Sequence, residues 1–338
     1  DGLGPQAKYD EIATRFRDLD RPTAPELLNP WLDCMVNATA YLAAGGDTEI
    51  RGRTLAILEE SKDRLAPALV GRAKTLRAHM AVSRGKTSES VGGFGGAAEY
   101  YESIGNRRAA CEARVNLGVS LLELGQLEEA EACMRQVLAT AEKLDIKYMF
   151  SGSLQALTNI LAYRGSYDEA RATGAQAVTV TVAQNDRRFQ GYAEAYLSVT
   201  EYLAGDFVRA EHYANAAVKT WETVLSARPF AVALLARARL AQGRHAEALL
   251  SARDAHAQLE SLGAVDDGEL TVRLAYGECL LAAGEALAAR AAIDKAARRI
   301  LESAESIDDP TVRESFLARI PENRRILELR DALAASQR

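Results

Sequence analysis

No stretch of this sequence approaches eighteen consecutive apolar residues, the length a membrane-spanning helix needs. The opening segment, DGLGPQAKYDEIATRF, has neither a basic head nor an apolar run, so no secretory signal is read there. Cysteine is scarce. Cys34, Cys111, Cys133 and Cys279 stand far apart with no CxxC pair, which excludes a zinc knuckle and a disulfide framework and leaves them as expected small core residues. Lysine and arginine form no run, and 41 basic against 47 acidic residues leave a net charge of −6, so nothing in the chain marks it for nucleic acid or an anionic membrane. The expected location is cytoplasmic. Proline is missing from residues 68 to 228, so the strongest helix breaker is absent from almost half the chain. The chain opens on Asp rather than Met, so it is expected to be part of something larger.

What is present is a repeat. Gly125, Gly165, Gly205, Gly243 and Gly284 recur at intervals of about forty residues, and equivalent positions around them agree in size. Seven before each glycine stand Gly118, Thr158, Ser198, Ala236 and Gly277, all small. Eight before stand Leu117, Leu157, Leu197, Leu235 and Tyr276, all large. Five after stands alanine every time, at 130, 170, 210, 248 and 289. Small residues at fixed places let two helices of a hairpin approach, and the large neighbour fills the space between them. One hairpin cannot bury its apolar faces alone, so the pattern predicts stacked hairpins sharing a continuous core. The stretch AVTVTVAQ at 177–184 alternates β-branched residues like a strand, but it falls where the second helix of a hairpin continues and is assigned to helix.

At the Leu117-Gly118 pair, the turn glycines and the invariant alanines the sequence resembles the tetratricopeptide repeat family, over roughly residues 31 to 303. The turn aromatics are read as Phe94, Tyr167 and Phe207. The period near forty is longer than the usual thirty-four and is similar to that of sensor regions in bacterial signalling and regulatory proteins. The resemblance implies an all-α, right-handed α-α superhelix of about seven helical hairpins. A leading or capping segment over 1–30, the array over 31–303 and capping helices over 304–338 would complete it. It further implies a non-catalytic module that binds a peptide or protein segment in the concave groove; a regulatory sensor taking a small molecule or signalling peptide is the alternative. Carried over by register, the groove residues are Asn37, Arg72, His79, Asn116, Gln155, Asn159, Tyr163, Tyr192, Tyr196 and Arg237, with Thr75, Tyr202 and Glu278 beside them. Asn and Gln can pair with both peptide N–H and C=O, and Tyr offers a rigid apolar face with a polar tip. The family's cationic clamp for chaperone tails is absent at these places.

Nothing in the sequence argues for catalysis, a cofactor or a metal. His79, His212, His245 and His256 fall on different repeats without HExxH or carboxylates at ligand spacing, and Asp266-Asp267-Gly268-Glu269 lacks a calcium-loop pattern and reads as a turn. SRGKTSESVGGFGG at 83–96 looks like a phosphate loop, but Met80 occupies the first glycine position and a helix is expected where a strand should lead in. Two registers meet there. Leu76 and Ala78 place the turn at Gly85, whereas Ala97, Tyr101 and Ile104 place it at Gly92, so KTSESVG (86–92) is read as an inserted, protease-sensitive loop. An amphipathic helix is expected over 5–20. At the other end Asp309-Pro310 starts a helix and Pro321 restarts one, with arginines forming a polar outer face. This tail resembles the closing segment of helical repeats attached to bacterial kinases, cyclases and signalling ATPases; any such activity would lie outside these residues.

Overall fold

The computed structural model describes residues 14–15, 20–22, 24–42, 48–263, 265 and 267–335. The helix expected over 5–20 lies almost wholly outside them. The chain folds as two compact units, Asp1–Leu117 and Gly118–Arg338. Among the described residues there is no strand, and the α-helices number sixteen: α1 (Leu28–Leu42), α2 (Thr48–Glu60), α3 (Pro67–Ser83), α4 (Thr87–Ser103), α5 (Arg107–Glu123), α6 (Leu127–Lys143), α7 (Lys147–Tyr163), α8 (Tyr167–Ala183), α9 (Arg187–Leu203), α10 (Phe207–Thr220), α11 (Arg228–Ala241), α12 (His245–Leu262), α13 (Glu269–Ala282), α14 (Ala286–Glu305), α15 (Pro310–Arg319) and α16 (Pro321–Ala335). The β-branched stretch at 177–184 is helical through Ala183, because the hairpin core decides it over local propensity.

The forty-residue period is two twenty-residue ones. From α4 to α9 each helix has seventeen residues and a three-residue link, and the middle residue of each link is left-handed: Gly85, Gly105, Gly125, Asp145, Gly165, Asn185 and Gly205. At each, the N–H of the left-handed residue and of its successor turn back onto carbonyls of the helix just ended, as Gly125 N to Leu122 O (2.9 Å) and Gln126 N to Leu121 O (2.9 Å) do. This is a Schellman closure, which satisfies orphan carbonyls and reverses the chain in three residues.

Inside the second unit, sizes across each hairpin are reciprocal. A Cβ added at Gly118 would lie 2.6 Å from Met134, one at Gly277 would lie 2.4 Å from Ile293, and one at Gly174 would lie 3.0 Å from Thr158. The residue seven before the turn therefore meets the one nine after it, and where one is large the other is small. The alanines five after the turn are all fully buried. The last hairpin's core of Leu274, Ile293, Ala296 and Ile300 also takes in Ile326 and Leu329 of α16. In the first unit Leu28, Leu32, Val36, Leu58, Leu69 and Leu76 form one core, and Ala97, Ala98, Tyr101, Ala110 and Ala113 form another.

Three sequence expectations are corrected here. The segment 86–92 is not an inserted loop: α4 begins at Thr87 and runs unbroken through Gly92, Gly93, Gly95 and Gly96, and the turn is at Gly85. In the true register Ser90, wholly buried, holds the place of the invariant alanines, and Ala97 holds the place of Val137 and Ala177. Phe94 is accordingly a core residue, 1% exposed, rather than a turn aromatic. The hairpin tolerates the glycines because α4 packs closely on α3, with Gly93 laid against Ala78. Finally, Cys34 is exposed; the other three cysteines are buried as expected.

The helix makes opposite demands on two of these glycines. Gly95→Ala meets nothing within 4 Å and should raise stability by about 0.5–1 kcal/mol, the helix-propensity gain of alanine over glycine. Gly93→Ala puts a methyl 2.8 Å from the Ala78 Cβ and should lower it by about 1–3 kcal/mol. Urea unfolding of both variants checks this; equal, negligible shifts would mean the segment is not a packed helix.

Candidate functional site

The residues expected to line a groove fall into two sets, one in each unit. In the first unit Arg72 of α3 donates to Asn37 Oδ1 (2.5 Å) and to Asp33, both on α1, while Asn37 Nδ2 lies 3.4 Å from Asp33 Oδ2. Asn37 and Arg72 are thus brought together. His79 stands edge-on to Phe94, ring centroids 4.9 Å apart, and burial, aided by Arg51, lowers its imidazole pKa below the ordinary value. Asn116 donates back to the Glu112 carbonyl of its own helix (3.3 Å).

The second unit gathers the other six on the first helices of successive hairpins. Gln155, Asn159 and Tyr163 project from α7, Tyr192 and Tyr196 from α9 and Arg237 from α11. Tyr192 is 8% exposed and serves packing: its ring stacks on Tyr196 (5.9 Å) and meets Trp221 edge-on (4.8 Å). Tyr196 donates through its hydroxyl to Asp267 Oδ2 (2.5 Å) in the turn before α13. That turn is held by Gly268, left-handed and so close to Phe230 that a Cβ would lie 2.2 Å from the ring. Arg237 lies over the Tyr202 ring at 4.4 Å, with its Nε 3.8 Å from Glu278 of α13.

A further partner arrives from the C-terminus. Glu322 of α16, 4% exposed, accepts from the Tyr163 hydroxyl (2.9 Å) and from Arg237 Nη1 (3.4 Å). One carboxylate therefore bonds to the fourth and the sixth hairpin at once, which requires the helix faces between them to curve around it. The same tail reaches the third hairpin. Arg319 grips Glu128 through two bonds (2.6 and 2.7 Å), and the Ser315 carbonyl lies where a Cβ on Gly125 would be only 2.5 Å away. Arg325 donates to Glu278 (2.8 Å). The expected polar outer face of the tail is corrected in part: Arg319 and Arg325 turn inward because carboxylates wait for them there. The helix starts at Asp309-Pro310 and Pro321 are as expected, with Asp309 accepting from Thr311 N (2.8 Å).

Electrostatics follow from this enclosure. Burial, then Glu322, holds the Tyr163 hydroxyl pKa well above its ordinary value; burial, then Asp267, does the same to Tyr196. The Arg319 contact pulls Glu128 down to about 2. Glu123 goes the other way, pushed up to about 7 by surrounding protein and by Asp267, although its side chain remains open to solvent. Sequence reasoning missed Glu123, though it occupies the place two before its turn glycine that Tyr163 occupies in the next hairpin. It also missed Asp267 and Glu322, which no register could supply.

Polar atoms on α7, α9 and α11 are left over. Gln155 Oε1, Asn159 Oδ1, Glu194 Oε2 and Arg237 Nε are buried without a hydrogen-bond partner, in residues each 6–7% exposed. Gln155 and Asn159 are one turn apart on α7, and Glu194 lies on the adjacent α9. No cluster of three metal-ligating side chains occurs among the described residues, and no helix among them is long and apolar enough to cross a membrane.

A family model described as a tetratricopeptide repeat matches residues 111–144, the α5–α6 hairpin. The Rap protein complexed with competence and sporulation factor is similar over 98% of this chain and 94% of its own, with 16% identity and a TM-score of 0.63. The apo form of the quorum sensor NprR from B. thuringiensis is similar over 97% and 93%, with 12% identity and a TM-score of 0.63. A signal transduction ATPase with numerous domains and a tetratricopeptide repeat sensor, from Pyrococcus horikoshii, is similar over 98% of this chain but 50% of its own, with 15% identity and a TM-score of 0.57. No curated protein matches the sequence. The chain is a tetratricopeptide-like helical-repeat protein, an all-α solenoid of stacked hairpins.

The raised Glu123 pKa carries a testable pH dependence. Its folded pKa lies above the ordinary 4.5, so the native chain holds this proton more tightly than the unfolded chain does. The contribution to stability is fullest below pH 4.5, declines as pH rises through about 7 and stays low above it. Glu123→Gln should therefore raise the melting temperature above pH 7 and leave it unchanged below pH 4.5, by an amount that solvent at its open side keeps small. Thermal melts from pH 4 to 9 decide, and a pH-independent difference would mean that the surrounding protein does not hold the Glu123 proton.

Proposed function

We propose that the second unit is a binding module that holds an extended peptide or protein segment against α7, α9 and α11, and that the chain acts through this contact rather than through catalysis. The observation that carries the reading is the set of orphaned atoms, Gln155 Oε1, Asn159 Oδ1 and Glu194 Oε2. A buried acceptor without a partner costs about 1–3 kcal/mol, and folded proteins rarely keep several together. Three acceptors and the single donor Arg237 Nε call for a ligand rich in N–H groups, which a peptide backbone supplies along its whole length. The tyrosine faces of Tyr163 and Tyr196 add apolar contact beside them.

The finer alternative is a regulatory sensor whose groove takes a signalling peptide or a small molecule. It is favoured by the likeness in fold to the Rap conjugation gene regulator of the plasmid pLS20 in complex with the Phr* peptide, which shares 14% identity and a TM-score of 0.58. That likeness extends to the fold; a signalling role for this chain is the proposal.

Asn159→Leu distinguishes a ligand-waiting polar atom from a merely tolerated one. Replacing an orphaned acceptor by an apolar side chain of similar size should leave the free protein as stable as before or more so. The same change should weaken capture of a peptide selected from a random 12-mer library by at least tenfold, about 1.4 kcal/mol. Fluorescence anisotropy with the selected peptide measures this, and undiminished affinity would falsify the placement of the site.

A further inference from the structure

The tail described above has two unlike sides. Its apolar side, Ile326 and Leu329, joins the core of the last hairpin as a cap would. Its other edge carries Arg319, Glu322 and Arg325, three residues apart in turn, and each meets the opposite charge on a different hairpin: Glu128, Arg237 and Glu278. A cap needs only the first side. The second edge reaches residues 191 and 85 positions away in sequence and satisfies the groove's own polar groups, Tyr163 and Arg237, while leaving its acceptors unfilled.

We propose that the α15–α16 junction is an internal competitor for the groove, an Arg-x-x-Glu-x-x-Arg strap that closes it and must lift before an outside segment can bind. The inference rests on the segment-binding reading of the same face and adds its regulation. The charges are arranged for release. Arg319 and Glu128 remain partly open to solvent, at 37% and 52% of their side chains, so water and salt compete for that pair. The apolar anchor of α16 on α13 and α14 stays in place when the junction lifts. Glu322 alone is sealed, and its departure frees Tyr163 and Arg237 together, adding a hydroxyl and a guanidinium to the donors and acceptors offered to the incoming segment. By occupying groove residues only in the closed state, the strap reduces the apparent affinity of any ligand by the fraction of molecules that are open.

The test uses the full chain with Arg319→Glu and Arg325→Glu together, and as probe a fluorescein-labelled peptide of residues 309–331 in the natural sequence. Hydrogen exchange at residues 311–320 should quicken at least tenfold while α7 to α13 stay protected, and the probe should bind at least tenfold tighter than to the natural chain. Adding Glu128→Arg to Arg319→Glu alone should restore slow exchange. If circular dichroism shows the double reversal has lost helix, Glu128→Gln is read in its place by the same two measurements. Unchanged exchange overturns the proposal, and so does faster exchange without any gain in probe affinity, since the tail would then be a cap with no site beneath it. The two readings fail separately. An opened chain that takes the tail probe while Asn159→Leu leaves outside peptides unaffected keeps the strap and ends the segment-binding reading.

Discussion

Two helices joined by a three-residue link can form a tight hairpin only if their backbones come close, and that closeness is the constraint from which the other features follow. It demands a small residue on one helix wherever its partner is large, and the pairs Gly118 with Met134, Thr158 with Gly174 and Gly277 with Ile293 divide the space differently each time. The same closeness demands a reversal within three residues, met by a left-handed residue closing each helix on its own carbonyls. Hairpins built to one geometry then stack with matching faces, so the first helix of each presents equivalent positions side by side. A surface made this way is polar only where its sequence places polar residues on that shared face.

In the second unit that face is crowded with unlike partners. Tyr163, Tyr196 and Arg237 are bonded to groups from the turn before α13 and from α16, while Gln155, Asn159 and Glu194 keep acceptors without partners. A buried polar surface that the protein itself only half satisfies is costly as a permanent arrangement. The arrangement makes sense for a surface that changes partners. Two carboxyls of this unit are shifted in opposite senses: burial and then Asp267 push Glu123 up to about 7, whereas the Arg319 contact pulls Glu128 down to about 2.

Much of this was legible. The small and large places around Gly125, Gly165 and Gly205 identified the hairpins, and the register they set placed Asn159, Tyr163, Tyr196 and Arg237 on one kind of face. The same register also puts Glu123 at the place that Tyr163 holds in the next hairpin. The twenty-residue cadence was hidden because Asp145 and Asn185 take the left-handed conformation in place of glycine. The glycines of α4 misled in the opposite sense. KTSESVG (86–92) reads as an inserted loop ending on Gly92, yet packing of Gly93 on Ala78 holds Gly92, Gly93, Gly95 and Gly96 in one helix against an intrinsic preference of roughly 1 kcal/mol each.

By itself the sequence determined the hairpins, since the contacts that make them join residues about twenty apart and are written as a period that any window reveals. Tertiary structure alone decided that Glu322 would meet Tyr163 across 159 residues and that Arg319 would meet Glu128 across 191. Those meetings depend on the small rotation added at each hairpin, which no single repeat encodes and only their sum brings to a particular residue.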